Sequence, residues 1–462
     1  MKKLLKKFTR AVIYPIQNFQ RKMNETDLRK WIVILFFSTL ALTVVGRLVT
    51  KYDAGAACLG FPVCSGEIFN NSLAILAMAH RLLVVVVFII LTKVVQHTWT
   101  FYRHQSFILT SVSAMLVLYI GQIFLGAYQI FEMFPFELVL LHSLSSVGFV
   151  ALVVLVLWAS FGAHPQAVKD QNTIFNDPIR RKDFLKLNKP IIVILLLVTT
   201  YAGMVVGGKE IPSLWLTFWV LLAGALAAGG SSAINQYIDR EIDLSMQRTS
   251  NRPVPSGRLQ PAEALALGIS ELIVSFFLYV IFVNVLSAVL AVAGMIYYVV
   301  IYSLWLKHAT VQNIVIGGGA GAIPPLVGWA AATGSLNIPS LFLFALVFLW
   351  TPPHFWALAL VRRKDYARAS VPMLPVVKGV RKTKIQIMIY TVELVLLTLL
   401  MPLFDIGGSV YLISAAILGA WILWAAWQVL TKEGNKVAHK MYRYSSMYLA
   451  FIFLALVVDV FI

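Results

Sequence analysis

Charged residues are scarce in this chain. They make up 13% of its 462 residues, whereas hydrophobic residues make up 60%, and the mean hydropathy is +0.82. Soluble domains carry about 25% charged residues, so this balance excludes a soluble globular protein. The composition instead predicts an all-α polytopic membrane protein that crosses the lipid bilayer many times.

Acidic residues are especially few, at 20 against 38 lysines and arginines, and the net charge is +18. Such an excess can indicate nucleic-acid binding, so the positions of the basic residues decide the matter. Starting from a cytoplasmic N-terminus, the apolar segments place 34 of the 38 basic residues on the inner side. The charge is therefore a topology signal. It predicts no nucleic-acid partner, a bacterial plasma (inner) membrane location and a C-terminus outside.

Thirteen apolar segments are long enough to span the bilayer. The first lacks a small-residue cleavage site and contains Arg47, so we interpret it as a retained helix. The sequence divides into a basic tail at 1–30, either on the membrane surface or solvated, a four-helix bundle at 31–161, a cytoplasmic linker at 162–189 and a nine-helix domain at 190–462. The predicted spans are 31–49, 73–92, 107–130, 138–161, 190–208, 214–235, 262–282, 285–305, 311–332, 340–361, 385–404, 409–430 and 444–461.

The predicted bundle contains a cysteine pair and two intramembrane histidines. Cys58 and Cys64 lie in the first outward loop, on the oxidising side, where they can form a disulfide or remain free thiols. His80 and His142 lie about 10 Å and about 6 Å below the outer surface, at ~1.5 Å per residue. Such a pair can ligate a b-type haem, or each histidine can hydrogen-bond to a neighbouring helix.

The bundle resembles the N-terminal half of haem A synthases, which have two similar four-helix halves. The resemblance implies that His80 and His142 ligate haem b and that Cys58 and Cys64 form a pair. The family's usual glutamate is replaced by Ala77, and the second half is missing. We therefore interpret the bundle as a haem-binding module and leave open whether it oxidises a haem methyl group. The matching motifs are VVGRLVTKYDAGAACLGFPVCSG at 44–66, AHR at 79–81 and LLH at 140–142.

The densest charged run lies between two apolar segments, at 235–257. Asn235, Asp239 and Asp243 recur every four residues, so on a helix they share one face. One amide and two carboxylates are hard oxygen ligands, which hold Mg²⁺ together with substrate phosphates. The alternative is a solvated loop whose acids and arginines pair with each other.

Basic residues continue this run. Arg248 and Arg252 follow at the same spacing, and their forked guanidinium groups suit a phosphate. We expect the helix to continue through them and to end at Pro253 and Pro255.

Two later stretches face the same side. The glycine-rich stretch at 313–329 permits either tight helix packing or an irregular turn lining a cavity. The stretch at 350–376 carries basic residues that can neutralise a diphosphate, and an aspartate that can hold a second Mg²⁺, unless they are ordinary positive-inside residues. Its candidate residues are His354, Arg362, Lys364, Asp365 and Tyr366.

Acids with Mg²⁺, basic groups and an apolar helical cavity suit the ionisation of an allylic diphosphate. Cations stabilise the departing diphosphate, aromatic faces stabilise the carbocation, and the apolar cavity excludes water.

Residues 183–462 resemble the UbiA-like intramembrane prenyltransferases and, within them, the haem O synthases. The resemblance implies farnesyl transfer from farnesyl diphosphate to the 2-vinyl group of haem B. It also implies that Asn235, Asp239 and Asp243 bind Mg²⁺ and diphosphate with Arg248 and Arg252 nearby, and that Lys364 and Asp365 occupy the second motif. We predict that Arg362 and Lys364 join the two arginines as diphosphate-binding residues, and that His354 and Tyr366 are candidate contacts of the acceptor. The matching motifs are NKP at 188–190, NQYIDREIDLSMQRTSNRP at 235–253, NIVIGGGAGAIPPLVGW at 313–329, WTPPHFWALAL at 350–360, DYARASVPMLPV at 365–376 and MYRYSSMYLAF at 441–451.

We therefore predict a fusion of two consecutive haem-maturation modules in the bilayer, with a haem-copper oxidase assembly factor as a further candidate partner. Two other functions are compatible with the sequence. One is a prenyltransferase with another aromatic acceptor, such as a quinone ring. The other is a haem-binding electron-transfer protein with an inactive prenyltransferase domain. Span count alone also permits a transporter.

Overall fold

The computed structural model describes residues 14–64, 71–166 and 177–462. Thirteen helices in this part are long and apolar enough to cross a membrane, which confirms the predicted all-α class and the predicted number. A π-helix at Tyr297–Leu306 and a 3₁₀ turn at Met401–Phe404 accompany the α-helices. In chain order these are α1 (Tyr14–Lys51), α2 (Ser72–Phe101), α3 (Ser106–Phe131), α4 (Phe136–Ser160), α5 (Pro178–Leu187), α6 (Pro190–Gly208), α7 (Leu214–Ile238), α8 (Arg240–Ser245), α9 (Pro261–Phe282), α10 (Val285–Ile296), α11 (Lys307–Ala309), α12 (Asn313–Thr333), α13 (Ile338–Val361), α14 (Arg363–Arg368), α15 (Leu374–Val377), α16 (Gly379–Leu400), α17 (Ser409–Thr431) and α18 (Asn435–Asp459).

Several helices extend beyond the predicted apolar segments. Helix α1 begins at Tyr14, α16 at Gly379 and α18 at Asn435, each before the apolar run that it contains. Hydropathy detects only the part of a helix in hydrocarbon, whereas backbone hydrogen bonding continues among basic residues beyond it. Residues 1–13 of the predicted tail and residues 167–176 of the predicted linker lie outside the described part.

The chain divides into two compact units by its internal contacts. The first comprises Met1–Arg181 with Gln260–Val274, and the second comprises Lys182–Leu259 with Ser275–Ile462. In the first unit, α1 packs against α2 and α4, and α3 packs against the same two helices. Helices α2 and α4 are therefore diagonal partners in a four-helix bundle, and these two carry the candidate haem histidines.

The second unit is built around α12. Helices α6, α10 and α13 pack against it, and α13 packs in turn against α16 and α18. Helix α17 packs between α16 and α18, while α7 packs against α6 and the π-helix. This arrangement brings the C-terminal end of α7 beside the π-helix, and the charged cluster described below lies there.

Glycines allow α6 and α12 to approach closely. A Cβ atom on Gly203 would collide with the carbonyl oxygen of Pro325, and one on Gly328 would collide with that of Thr200. The glycine-rich stretch is a continuous helix that contains two prolines. Of the two interpretations of this stretch, these contacts support tight helix packing.

Candidate active site

The predicted oxygen stripe lies where α7 ends and α8 begins. Asn235 is in the last turn of α7, Asp239 is at the junction and Asp243 is in α8. The helical hydrogen bonds continue across the junction, from Asp239 N to Asn235 O at 2.9 Å and from Asp243 N to Asp239 O at 2.8 Å. All three side chains therefore share one face, and all are buried.

The helix ends earlier than the sequence suggested. We expected it to reach Arg252 and to be ended by the prolines, but α8 ends at Ser245 and the following residues form turns. Met246 is extended, and Thr249 Oγ1 donates to the carbonyl oxygen of Asp243 at 3.1 Å. This side-chain bond offers the backbone an alternative to helix, so the prediction that the helix continues through the two arginines is wrong.

Asn235 links the first carboxylate to a buried lysine. Its Oδ1 accepts a hydrogen bond from Lys189 Nζ at 3.0 Å. Its Nδ2 donates to Asp239 Oδ2 at 2.8 Å and to Ser303 Oγ at 3.1 Å. The amide therefore orients the carboxylate and holds the lysine beside it.

Each carboxylate also has a cationic partner. Lys307 Nζ lies 2.6 Å from Asp239 Oδ2, and Arg252 Nη1 lies 2.6 Å from Asp243 Oδ2. Both bonds are charge-assisted and largely shielded from water, so they hold the acids in fixed positions. The cluster contains two anions and, with Lys189 protonated, three cations.

The position of Lys189 follows from the turn before α6. The carbonyl oxygen of Leu187 accepts hydrogen bonds from Ser232 Oγ at 2.8 Å and Gln236 Nε2 at 2.7 Å, both on α7. Lys189 then adopts a left-handed conformation with φ 47°. Burial, with the charges of Arg252 and Lys307, lowers the pKa of Lys189 to about 7, although the carboxylates of Asp239 and Asp243 act in the opposite direction. An incoming anion would favour its protonated form.

Asp239 has one oxygen without a partner. Its Oδ1 is buried, and among the described residues nothing hydrogen-bonds to it. In the same part of the chain, no group of three or more His, Cys, Asp or Glu side chains could hold a metal. A cation bound here would therefore take some of its ligands from a substrate, as Mg²⁺ does with phosphates.

Aromatic side chains border the cluster. Tyr298 and Tyr302 stack on the π-helix with centroids 5.9 Å apart. Ser303 Oγ donates five residues back, to the carbonyl oxygen of Tyr298 at 2.9 Å. Tyr302 lies within electrostatic range of both Asp239 and Tyr366. These rings connect the charged cluster to the second predicted motif.

The second motif occupies α14 and the end of α13. Asp365 is buried, with Arg362 at 3.8 Å and Arg368 at 4.0 Å, while Lys364 is exposed. Burial raises the pKa of Tyr366, against the opposing charge of the exposed Arg248. Arg248 from the first motif therefore lies near the second, although no direct ion pair joins it to Asp365 in the described residues.

His354 is held deeper in α13. Its Nδ1 lies 2.9 Å from Ser445 Oγ, and its ring stacks on Trp350 at 4.3 Å between centroids. The side chain is buried.

In the first unit, the two histidines occupy similar surroundings. The Nδ1 atoms of His80 and His142 are buried and have no hydrogen-bond partner among the described residues. A Cβ atom on Gly46 would lie 3.1 Å from Cε1 of His80, and one on Gly126 would lie 3.3 Å from Cε1 of His142. Each imidazole therefore lies against a glycine of an adjacent helix.

The outer loop of this unit is closed by a disulfide between Cys58 and Cys64. Arg81, next to His80, donates to three of its carbonyl oxygens: Cys58 at 2.8 Å, Gly60 at 2.9 Å and Pro62 at 3.1 Å. The arginine thereby attaches the loop to α2 beside the histidine.

Comparison with known proteins identifies the larger part of the chain. Residues 196–454, more than half of it, match the family model described as the UbiA prenyltransferase family. The chain belongs to this family. Residues 4–160 match a second model, described as cytochrome oxidase assembly protein. The predicted combination of the two modules is thus confirmed.

Relatives match this prenyltransferase over most of their own length. A protoheme IX farnesyltransferase of Roseiflexus castenholzii is 42% identical over 452 residues, which cover 92% of this chain and 84% of that protein. One of Trichodesmium erythraeum is 48% identical over 281 residues, covering 60% and 85% respectively. The solved structure of a digeranylgeranylglyceryl phosphate synthase has a TM-score of 0.53, is 22% identical and covers 60% of this chain and 98% of that one, which shows the fold alone.

Two residues of the prenyltransferase site were not among the predicted site residues. Lys189 belongs to the NKP motif at 188–190 but was given no role, and Lys307 shortly precedes the glycine-rich stretch at 313–329. Their signal was positional, since each is a basic residue directly beside the end of an apolar span. That signal does not separate them from the other basic residues near the ends of spans.

Proposed function

We propose that this protein transfers the farnesyl group of farnesyl diphosphate to the 2-vinyl group of haem B and produces haem O, which carries a hydroxyethylfarnesyl group. The observation that carries the proposal is the pair of buried carboxylates, Asp239 and Asp243, held among Lys189, Lys307 and Arg252 at the end of apolar helices. The relatives named as protoheme IX farnesyltransferases supply the acceptor and the prenyl donor.

The charge of the cluster suits a metal diphosphate. Two carboxylates and three cations leave a net charge of +1 when Lys189 is protonated. A prenyl diphosphate with one Mg²⁺ carries about −1, so its binding would bring the site close to neutrality. Neutralisation matters here because an uncompensated charge in this apolar setting is costly.

Mg²⁺ fits the residues present. The unpartnered Oδ1 of Asp239 is a free carboxylate ligand, and Asp243 lies one helical turn further on the same face. Mg²⁺ is usually held by one or two carboxylates plus substrate phosphates. When bound, it would supply Lewis-acid stabilisation to the departing diphosphate. Asp365 is a candidate ligand for a second ion.

The chain's own cations would do the remaining work at the diphosphate. Lys189 and Lys307 would bind its oxygens and stabilise the charge that develops as the bond to the farnesyl carbon breaks. We propose that Arg248 and Arg252, and at the second motif Arg362 and Lys364, contact the same diphosphate. The rings of Tyr298 and Tyr302 would face the farnesyl cation.

We further propose that the N-terminal module binds haem b through His80 and His142. The two imidazoles lie on diagonal helices, and their Nδ1 atoms lack partners among the described residues. The glycines beside them let each imidazole lie close to the backbone of the adjacent helix, where a Cβ atom would crowd its Cε1 atom. A bound haem would supply redox chemistry. We propose that the two modules are fused because haem O made by the prenyltransferase domain can then pass directly to the N-terminal module.

The cellular setting follows from the charge distribution. We propose that the protein lies in the bacterial plasma membrane, with the N-terminus and the acidic cluster on the cytoplasmic side and the C-terminus outside. Farnesyl diphosphate would reach the cluster from the cytoplasm. A haem-copper oxidase assembly factor is the partner that we expect for the product.

The test is an assay of the purified protein in detergent with haem B, farnesyl diphosphate and Mg²⁺. Products are separated by chromatography and identified by mass. We expect the wild type to produce haem O. Asp239→Asn should form it about 100-fold more slowly or slower still, because electrostatic stabilisation of one charge at the reaction centre contributes about 10²–10³-fold to the rate. Glu241→Gln is the matched control, since Glu241 is a nearby exposed acid.

Three outcomes separate the alternatives. Haem O from the wild type and from Glu241→Gln, but not from Asp239→Asn, supports the proposal. If the protein prenylated a quinone ring and not haem B, the proposed acceptor would be wrong and the quinone prenyltransferase alternative would be supported. A folded wild-type protein that makes no prenylated product would support the haem-binding, electron-transfer alternative.

A further inference from the structure

A cavity of about 280 Å³ lies beside the ends of three spanning helices in the second unit. It is lined by residues just before α12, near the end of α13, on α15 and in the first turns of α16. These helix ends lie on the same side as the charged cluster, because Lys307, shortly before α12, contacts Asp239. None of the residues that line the cavity belongs to that cluster.

Two lysines on one face of α16 give the cavity a positive charge. Lys378 is the N-cap residue of α16 and Lys382 follows one turn later, and both are exposed and line the cavity. Neither forms an ion pair with an acid in the described part of the chain. The sequence also contains no acidic residue between Asp365 and Glu393. The charge at the cavity therefore favours an anionic occupant.

One wall of the cavity contains a buried indole. Trp356 is 1% exposed, and among the described residues nothing accepts a hydrogen bond from its Nε1. The edge-to-face contact with Tyr390, at 5.4 Å between centroids, fixes the ring. A buried tryptophan N–H usually has an acceptor, and the indole nitrogen can only donate. The indole thus favours the same kind of occupant as the lysines, one with anionic oxygens.

The cavity borders an apolar stripe on α16. Ile385 lines the cavity and is itself exposed. It begins a row of exposed aliphatic side chains at helical spacing, formed by Ile385, Ile389, Val392 and Leu396. On a spanning helix such a row lies against acyl chains. The cavity is slightly smaller than the range of about 300–1,000 Å³ for small-molecule pockets, which suits a compact headgroup more than an entire porphyrin.

We propose that this cavity binds the headgroup of an anionic phospholipid. The phosphate would lie between Lys378 and Lys382 and accept the N–H of Trp356, and an acyl chain would follow the aliphatic stripe of α16. Basic pockets between membrane helices bind anionic headgroups on the cytoplasmic side, where we propose that these helix ends lie. Arg381 and Lys384 add positive charge in the same two turns. The lipid would hold the ends of α12, α13 and α16 together at the membrane surface.

The test measures lipid binding to the full-length protein in detergent by native mass spectrometry. The probes are phosphatidylglycerol and phosphatidylcholine with the same short acyl chains, and the fraction of protein with one bound lipid gives the dissociation constant. We expect the wild type to bind phosphatidylglycerol about 30-fold more tightly, because each basic residue near an anionic headgroup contributes about fivefold. Lys378→Gln combined with Lys382→Gln should remove this preference.

A matched control removes two lysines elsewhere. Lys436 and Lys440 are also exposed, have the same spacing and lie near the beginning of α18, away from the cavity lining. Lys436→Gln combined with Lys440→Gln should keep the wild-type preference for phosphatidylglycerol. If both double variants lost the preference equally, general attraction to basic residues would explain the binding and the proposed site would be wrong.

A second variant tests the cavity and not its charge. Trp356→Phe keeps an aromatic wall but removes the N–H, and it should weaken the binding of phosphatidylglycerol about tenfold, because a hydrogen bond to a charged group is lost. Binding of phosphatidylcholine should not change. Wild-type affinity of Trp356→Phe for phosphatidylglycerol would place the lipid outside the cavity and overturn the inference.

Competition identifies the source of the anionic group. Neither inorganic phosphate nor haem B should displace phosphatidylglycerol from the wild type, because the first lacks an acyl chain and the second lacks a headgroup of this size. Displacement by inorganic phosphate at the same concentration as the lipid would show a site for free phosphate. Displacement by haem B would assign the cavity to the carboxylates of the acceptor, and either result contradicts a lipid site. These measurements need no turnover, so they are independent of the proposed function.

Discussion

Lys307 is the residue that most directly neutralises Asp239. Its Nζ lies 2.6 Å from Oδ2 in a largely buried setting, and Asn235 donates to the same oxygen at 2.8 Å. With diphosphate present, the ammonium group can turn to the substrate while the carboxylate binds the metal. The lysine therefore has an anionic partner both without and with bound diphosphate. A buried charge without a partner would destabilise the protein.

Replacement of Lys307 by Met should lower kcat/KM for farnesyl diphosphate about 10- to 100-fold. A hydrogen bond to a charged group contributes about 1.5–3 kcal/mol, and about 1.4 kcal/mol corresponds to a tenfold change. Initial rates at varied farnesyl diphosphate and saturating haem B measure the effect. Lys436→Met removes an exposed lysine in the first turn of α18 and should leave kcat/KM unchanged. Equal values for both variants would remove Lys307 from the diphosphate site.

Helix α5 is fixed to the following turns by a buried acid. Asp183 Oδ2 accepts from Arg258 Nε at 2.7 Å, and Oδ1 accepts from Lys186 Nζ at 3.2 Å. Burial alone would raise the pKa of Asp183, but hydrogen bonds from Arg258 and Lys186 outweigh it, so the pKa lies below its ordinary value. Because α5 leads into Lys189, this anchor also supports the site.

Because the pKa of Asp183 is lowered in the folded protein, its contribution to the free energy of unfolding should decrease at acid pH. The contribution is fully present above the unfolded-state pKa, about 3.9, and is lost as the pH falls through the lower folded-state pKa. Thermal unfolding in detergent should show Asp183→Asn melting below the wild type at pH of about 7. The gap should close as the pH falls below about 4. A gap that stays constant across this range would contradict the ion-pair account.

The crossing of α6 and α12 depends on the missing side chains of two glycines. Gly203→Ala and Gly328→Ala would each force a Cβ atom into a backbone carbonyl of the facing helix. We expect each to lower the free energy of unfolding by about 1–3 kcal/mol, the usual cost of overpacking. The thermal midpoint in detergent measures this.

Gly321 is the matched control on the same helix. A Cβ atom at Gly321 meets nothing within 4 Å. Alanine there should leave stability unchanged or raise it, because glycine costs about 1 kcal/mol relative to alanine within a helix. If all three alanine variants melted alike, close packing at the crossing would not be what the glycines provide.

At the scale of the whole molecule, the two modules should lose their properties separately. His80→Ala with His142→Ala should abolish the absorption spectrum of haem b bound by the N-terminal module, because the proposed axial ligands are gone. Farnesyl transfer should keep its wild-type rate. Asp239→Ala should do the reverse, with the haem spectrum intact. Loss of both properties in either folded variant would contradict the separation into two modules.

The sequence by itself determined the class of this protein and the identity of its modules. Hydrophobic runs reveal spans because only a helix satisfies its own backbone in hydrocarbon, so thirteen helices were predictable from composition and order. The positions of the basic residues predicted a topology, which stays a prediction. The four-residue spacing from Asn235 to Asp243 predicted a shared face, and the structure has that face.

Only the tertiary structure decided which residues complete the site. Lys189 and Lys307 lie 46 and 68 residues from their partners, Asn235 and Asp239, and local pattern carries no information about such long-range contacts. The same holds for the pairing of His354 with Ser445 on α18. The helix end was missed because Thr249 and Arg252 return to Asp243 through side-chain bonds. Spacing defines faces of one helix, whereas packing defines which faces meet.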